Sequence, residues 1–411
     1  MPVANIRNYL ILFLIWPFLA FCLALFNYGE KFSRKVVFLF LIYYGLNFVM
    51  GDYGGSGPDS ERYAMYLKSN AELPFSDFFK IVGGLYSSDT SVDIVEPLIS
   101  FIVSRFTSHY GVYFAIWAAI FGFFYLKSIN FLYDRYRQKP GWNALIHMAF
   151  FIVILPITAI NGVRMWTAAW IFFYGAYNVI LYRDSKYLLV ALSASLVHWS
   201  FLSANAVLII YFLAGNRNLI YLPIAIASFL LPNLFIPVFQ RISAFIGGSV
   251  QGRFENYASQ DYMIISQERL EQASWFLKIS SDLVFYYLLL ALIVIKFRFG
   301  DLMREKYEQN LFSFLILFLT FVNFGISIPS FGGRFQIIFF LFATLYVFLF
   351  FLKQSAEKIS LLTLAGLFPM MLYAVVLFRQ DTYSVDAWLF TPGFGIPFFQ
   401  PGLSLTELLF Q

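Results

Sequence analysis

Arg164 and Arg334 each stand just inside a long apolar run, and glycine precedes both: Asn161-Gly162-Val163-Arg164 in one place, Pro329-Ser330-Phe331-Gly332-Gly333-Arg334 in the other. A flexible glycine turn, the free amides and positive dipole end of a helix start, and a guanidinium together make a good phosphate site. Two such starts suggest a pyrophosphate. The plainer alternative is that each arginine snorkels to an interface or pairs with a loop carboxylate. Arg253 is a weaker candidate of the same kind, as are Arg105 and Arg241, because their surroundings are polar. Three residues could take a proton from a sugar hydroxyl. Asp59 sits in a Gly-Pro-Asp-Ser turn and Glu96 precedes Pro97 at the head of an apolar stretch, so both also read as helix caps. His198, in Val197-His198-Trp199-Ser200, is a competent base near neutral pH if it is a neutral imidazole in a partly dry cavity; otherwise it is simply hydrogen-bonded. Trp166, Trp170, Tyr174 and Trp199 can stack on sugar rings or fill a core.

Other chemistries lack their residues. The sequence holds no HExxH, no Walker-type glycine loop with lysine, no GxSxG and no Asp-x-Asp pair, so metal-dependent transfer is not indicated and no metal site or cofactor is expected. The lone Cys22 rules out a disulfide framework or cysteine metal site within one chain. No basic run points to nucleic acid.

The elements that carry these residues follow from composition. The chain has 411 residues, of which 60% are hydrophobic and 12% charged, with 53 Phe, 27 Tyr and 8 Trp. No soluble core hides that much apolar surface, so the expectation is an all-α, polytopic membrane protein. Apolar runs fall at 8–27, 36–51, 110–132, 142–160, 163–182, 187–213, 219–238, 279–297, 311–329, 335–352 and 359–378, which predicts about eleven transmembrane segments in one integral membrane domain over 1–411. The first run lacks a small-residue cleavage site and reads as a retained span. Basic residues in the short loops set the sides: Lys31, Arg34 and Lys35, then Arg135, Arg137 and Lys139, then Arg183 and Lys186, Lys296 to Lys306, and Lys353 with Lys358. These loops are expected in the cytoplasm, with both termini on the periplasmic or outer side.

That assignment makes 187–213 enter and leave on one face, because Arg183, Lys186 and Arg217 must share a side. It therefore reads as a re-entrant helical hairpin bending at His198-Trp199-Ser200, with Ser193, Ser195, Ser200 and Ser203 as local polar partners. The rival is one long tilted helix, which would break the charge rule. Residues 52–109 and 239–278 read as extracytoplasmic loops capping a membrane cavity, the first with amphipathic pieces near 59–69 and 94–106. The tail, with WLFTPGFGIPFFQPG, suits an interface.

The ordered set Gly57-Pro58-Asp59-Ser60-Glu61-Arg62-Tyr63, Glu96-Pro97, Asn161-Gly162-Val163-Arg164 with Ala168, His198-Trp199-Ser200 and Gly333-Arg334 resembles the Wzy-type (EpsG-like) polymerases of O-antigen and exopolysaccharide. Met165-Trp166 and Phe331-Gly332 depart from that pattern. The resemblance implies a GT-C-like membrane glycosyltransferase of the cell inner membrane, acting without a metal ion. Its substrates would be undecaprenyl-pyrophosphate-linked oligosaccharide repeat units, as donor and acceptor, and a chain-length regulator protein is a possible partner. On this reading Arg164 and Arg334 hold the pyrophosphate, Arg253, Tyr63 and Trp199 contribute to substrate binding, and Asp59, Glu96 or His198 is the base. An O-antigen ligase or another polyprenyl-linked glycosyltransferase is a near alternative. A lipid-linked oligosaccharide flippase is a more distant one, because transporters show paired broken helices and this chain shows no repeat.

Overall fold

The computed structural model describes residues 6–50, 59–77, 79, 93–231, 237, 240–241, 244, 251–252, 274–328, 331–354, 358–400 and 402–410. Within these the secondary structure is helical, with one isolated β-bridge between Asp386 and Ser404. The first apolar run is cut in two, α1 (Ile6–Ile15) and α2 (Pro17–Phe26), because Pro17 has no N–H and starts a new helix. Then come α3 (Lys31–Leu46), α4 (Asp59–Glu72), α5 (Val95–Ser104), α6 (Tyr110–Tyr136) and α7 (Trp142–Ile154). A 3-10 turn, Ile157–Gly162, leads into α8 (Val163–Tyr182), followed by α9 (Lys186–Val197), α10 (Phe201–Ala214) and α11 (Asn218–Leu230). The last long helices are α12 (Trp275–Arg298), α13 (Lys306–Gly325), α14 (Gly332–Lys353) and α15 (Leu361–Asp381).

Six helical stretches among the described residues are long and apolar enough to cross a membrane: Tyr110–Tyr136, Trp142–Tyr182, Trp275–Arg298, Lys306–Gly325, Gly332–Lys353 and Leu361–Asp381. The stretch Trp142–Tyr182 is itself two helices joined by the 3-10 turn, across which the tilted rings of Phe151 and Phe173 meet at 5.4 Å. The count of about eleven is not reached by this measure. Several of the expected spans are short apolar helices instead, among them α2, α9, α10 and α11. Of the second long loop, 239–278, most lies outside the described residues, Arg253 included. Gly57 and Pro58 of the first loop do as well.

The core forms where helices are apolar all round and have no polar face to turn outward. Helix α14 is the clearest case: from Phe335 to Phe351 every residue but Ile337 is buried. Phe342 of α14 meets Phe173 of α8 at 4.6 Å and Phe314 of α13 at 5.1 Å, so much of the phenylalanine content is spent on one aromatic seam. This rigid centre carries the starts of α8 and α14, and with them both arginines.

Helices α9 and α10 form the expected hairpin. Asn205 donates to Ser195 Oγ at 2.8 Å, whereas a continuous helix would hold residues ten apart at about 15 Å. At the other end Arg183 donates to the carbonyl of Phe212 at 3.3 Å and lies over the Tyr211 ring, so the two arms begin and end together. The bend falls at His198, whose backbone is extended, and the following Trp199-Ser200 turn. The first arm lies flat on α8 because Gly175 has no side chain: a Cβ there would come 2.4 Å from the backbone nitrogen of Ala191.

The tail returns to the amino-terminal helices. Trp16 donates to the carbonyl of Phe390 at 3.0 Å, Tyr43 to that of Phe394 at 3.0 Å, and the Gly393 amide to the carbonyl of Ile15 at 2.6 Å.

Candidate functional site

The bend at His198 leaves helix-end groups without partners inside the helices, as any interrupted helix does. Two residues from the first long loop satisfy them. The Ile94 amide donates to the Leu196 carbonyl at 3.1 Å, and the Trp199 amide donates to Asp93 Oδ1 at 2.8 Å. Asp93 is buried to 1% exposure, so it needs a cation as well as hydrogen bonds. Arg164 supplies it: Nη1 donates to Asp93 Oδ2 at 2.7 Å, and Nε donates to the Tyr63 hydroxyl at 2.9 Å. His198 Nδ1 stands 3.8 Å from Asp93 Oδ1 and within 3.4 Å of the Ser200 amide. One carboxylate thus joins the start of α8, the hairpin tip and, through Arg164, helix α4.

Helices α4 and α5 pack on one another and frame this cluster from the loop. Glu96, in the first turn of α5, is buried and accepts from the Tyr113 hydroxyl at 3.0 Å. Both short helices lie outside the six long stretches. Burial pushes the Glu96 carboxyl above its ordinary pKa, against the lowering pull of the Arg164 charge and the Tyr113 hydroxyl. A carboxylate whose proton affinity is raised is a better base than one in water. Burial likewise raises the Tyr63 phenol, and Arg164 opposes it.

The 3-10 turn that delivers Arg164 is fixed from two sides. Thr158 donates to the Asp381 carboxylate at the end of α15, and the Trp166 indole covers Gly162, where a Cβ would lie 2.9 Å from Cδ1. At α14 the geometry differs. Gly332 passes so close to the end of α13 that a Cβ would meet Ile326 Cα at 2.4 Å, yet Gly333 has nothing within 4 Å. Arg334 is half-buried and makes no hydrogen bond or ion pair among the described residues. Its neighbour Phe335 meets Phe201, just past the hairpin tip, at 5.5 Å between ring centroids. The tip therefore borders both arginine-bearing helix starts.

Of the residues singled out in the sequence, Arg164, Tyr63, Glu96, His198 and Trp199 gather around Asp93. Trp199 contributes its backbone amide there. Asp59 opens α4 and pairs with Arg62 one turn along, at the partly exposed surface. Arg253 lies outside the described residues. Asp93 itself escaped sequence reasoning; its only local mark is a carboxylate three residues before Glu96 in the otherwise apolar run Val92-Asp93-Ile94-Val95-Glu96. A cavity of about 670 Å³ lined by Tyr136, Lys139, Trp142 and Lys353 lies at the opposite end of the helices and contains none of these groups.

Chemically, the arrangement offers a neutralised but incompletely used guanidinium, a second one without a partner among the described residues, and two buried groups able to accept a proton. Such a set suits transfer from an anionic leaving group to a hydroxyl. Comparison with known proteins agrees in kind: a family model described as the EpsG family matches residues 36–389. No curated protein and no solved structure matches the chain.

Proposed function

Since this chain belongs to the EpsG family, we propose that it polymerises undecaprenyl-pyrophosphate-linked oligosaccharide repeat units into a surface polysaccharide. The observation that carries the reading is the hairpin tip, where His198 stands 3.8 Å from the Asp93 that binds Arg164 and Phe201 meets Phe335 beside Arg334. Arg334 and the third nitrogen of Arg164 would hold the donor pyrophosphate. The acceptor hydroxyl oxygen attacks the anomeric carbon of the donor sugar, and the bond from that carbon to the phosphate oxygen breaks. Undecaprenyl pyrophosphate leaves with the electron pair, and the hydroxyl proton passes to a base. Glu96 and His198 stand at the cluster for this role, whereas Asp59 is engaged by Arg62. The leaving group is already stabilised as an anion, so two cations and correct placement supply the catalysis without a metal ion.

In this reading the protein is a GT-C-like enzyme of the inner membrane. The hairpin is re-entrant, and the first long loop caps the cavity on the outer side, where both termini also lie. Donor, acceptor, membrane lipid and a chain-length regulator are its partners. Non-helical backbone at the tip is tolerated at depth because protein groups satisfy it.

Purified protein given a lipid-linked repeat unit in detergent should produce a ladder of longer glycans and free undecaprenyl pyrophosphate. Transfer only to an unrelated acceptor would make it a ligase, and movement of the unit across liposomes without chain growth would make it a transporter. The topology is tested separately. A cysteine at Arg217, introduced into a chain with Cys22 replaced, should react with an impermeant reagent only from the cytoplasmic side; labelling from outside would overturn the re-entrant hairpin.

A further inference from the structure

We infer that Asp93 is a positioning residue that aims Arg164 at the donor pyrophosphate and locks the hairpin tip in register with it. The inference rests on the reading of Arg164 as a pyrophosphate ligand. A free guanidinium on a long side chain samples many directions, and ordering it costs binding energy. Here two of its three nitrogens are already anchored, Nη1 by Asp93 at 2.7 Å and Nε by Tyr63 at 2.9 Å. The third, Nη2, makes no hydrogen bond among the described residues, and the side chain retains 22% exposure. Its two N–H groups are thus presented to a ligand in a fixed direction. The other oxygen of Asp93 accepts from Trp199, beside His198, so the carboxylate sets the guanidinium and the candidate base at one spacing.

A buried carboxylate next to a phosphate site also repels the phosphate, so two roles for Asp93 predict opposite signs. If it positions Arg164, neutralising it weakens pyrophosphate binding. If it merely competes for Arg164, neutralising it strengthens binding. Asp93→Asn separates these, because an asparagine oxygen can still accept from the Trp199 amide while its NH2 meets Arg164 donor to donor. Tyr63→Phe removes the other anchor without touching the hairpin tip.

The probe is undecaprenyl pyrophosphate in detergent micelles, titrated against purified full-length protein, with the thermal midpoint of each variant recorded. Asp93→Asn should bind roughly tenfold more weakly than wild type and Tyr63→Phe roughly threefold more weakly. In the polymerisation assay the loss should fall on KM for the donor as well as on kcat. Unchanged or tighter binding by Asp93→Asn, with wild type binding normally, overturns the positioning role and leaves the polymerase reading standing. A lowered midpoint with full affinity in the folded fraction shows a purely structural Asp93 and also overturns it. No binding to wild type overturns both readings. Should Asp93→Asn fail to fold, Tyr63→Phe decides: wild-type affinity there refutes the anchored guanidinium.

Discussion

Arg164→Ala is expected to abolish polymer and to destabilise the protein, whereas Arg334→Ala is expected to abolish polymer alone. The two arginines look alike in sequence but differ in what they hold. Removing Arg164 takes from Asp93, 1% exposed, the guanidinium 2.7 Å away, and breaking a buried pair by removing one member costs about 3–5 kcal/mol. Removing Arg334 strands no group among the described residues, where it makes no hydrogen bond or ion pair. The activity loss is placed on the order of 10²–10³ for each, the usual effect of deleting one donor aimed at developing charge. Glycan ladders from the purified variants measure the first effect, and thermal denaturation in detergent the second. Full-length polymer from both variants would show that the arginines only snorkel. Equal thermal midpoints would show that the Asp93 pair contributes little to the fold.

A second large effect is expected far from any charge. Gly175 lets α9 rest on α8 with backbone against backbone, and a Cβ at this position would fall 2.4 Å from Ala191 N and 2.8 Å from Ala191 Cα. Neither atom belongs to a flexible side chain that could move aside. Gly175→Leu must therefore push the hairpin away from α8, at the cost of about 1–3 kcal/mol or more that overpacking carries. The displacement acts at the far end too, because the tip amide of Trp199 donates to Asp93 at 2.8 Å and Asp93 in turn holds Arg164 at 2.7 Å. Both thermal midpoint and polymer yield should drop, with Gly175→Ala intermediate. A Gly175→Leu protein with wild-type midpoint and yield would mean that the helices are not held at this distance.

What the sequence disclosed is tied to how local each signal is. The hairpin was legible because Arg183, Lys186 and Arg217 had to share a side and because serines cluster about His198, and both signals lie within one segment. The helix starts at Arg164 and Arg334 were legible from the glycines before them. Asp93 was not, since its partners Arg164 and Trp199 lie 71 and 106 residues away and nothing in a linear pattern joins them. The alternative that an arginine pairs with a loop carboxylate holds for Arg164, while Arg334 has no such partner among the described residues, and only the fold distinguishes two sites with similar local sequence. Apolar length alone also underlies the count of about eleven segments, of which six among the described residues reach spanning length. An apolar run by itself does not give the length of the helices within it: Pro17 restarts one inside the first run.

The return of the tail onto α1, α2 and α3 sets a clock on assembly. Trp16 and Phe390 are 374 residues apart, and at about 5–20 residues per second the ribosome needs roughly 20–75 s to make the intervening chain. For that interval the Ile15 carbonyl and the Tyr43 hydroxyl of the earliest helices lack their eventual partners. Lipid, a chaperone or an insertase must shield them meanwhile, and a stalled ribosome would leave behind an unfinished surface of the kind that membrane proteases recognise.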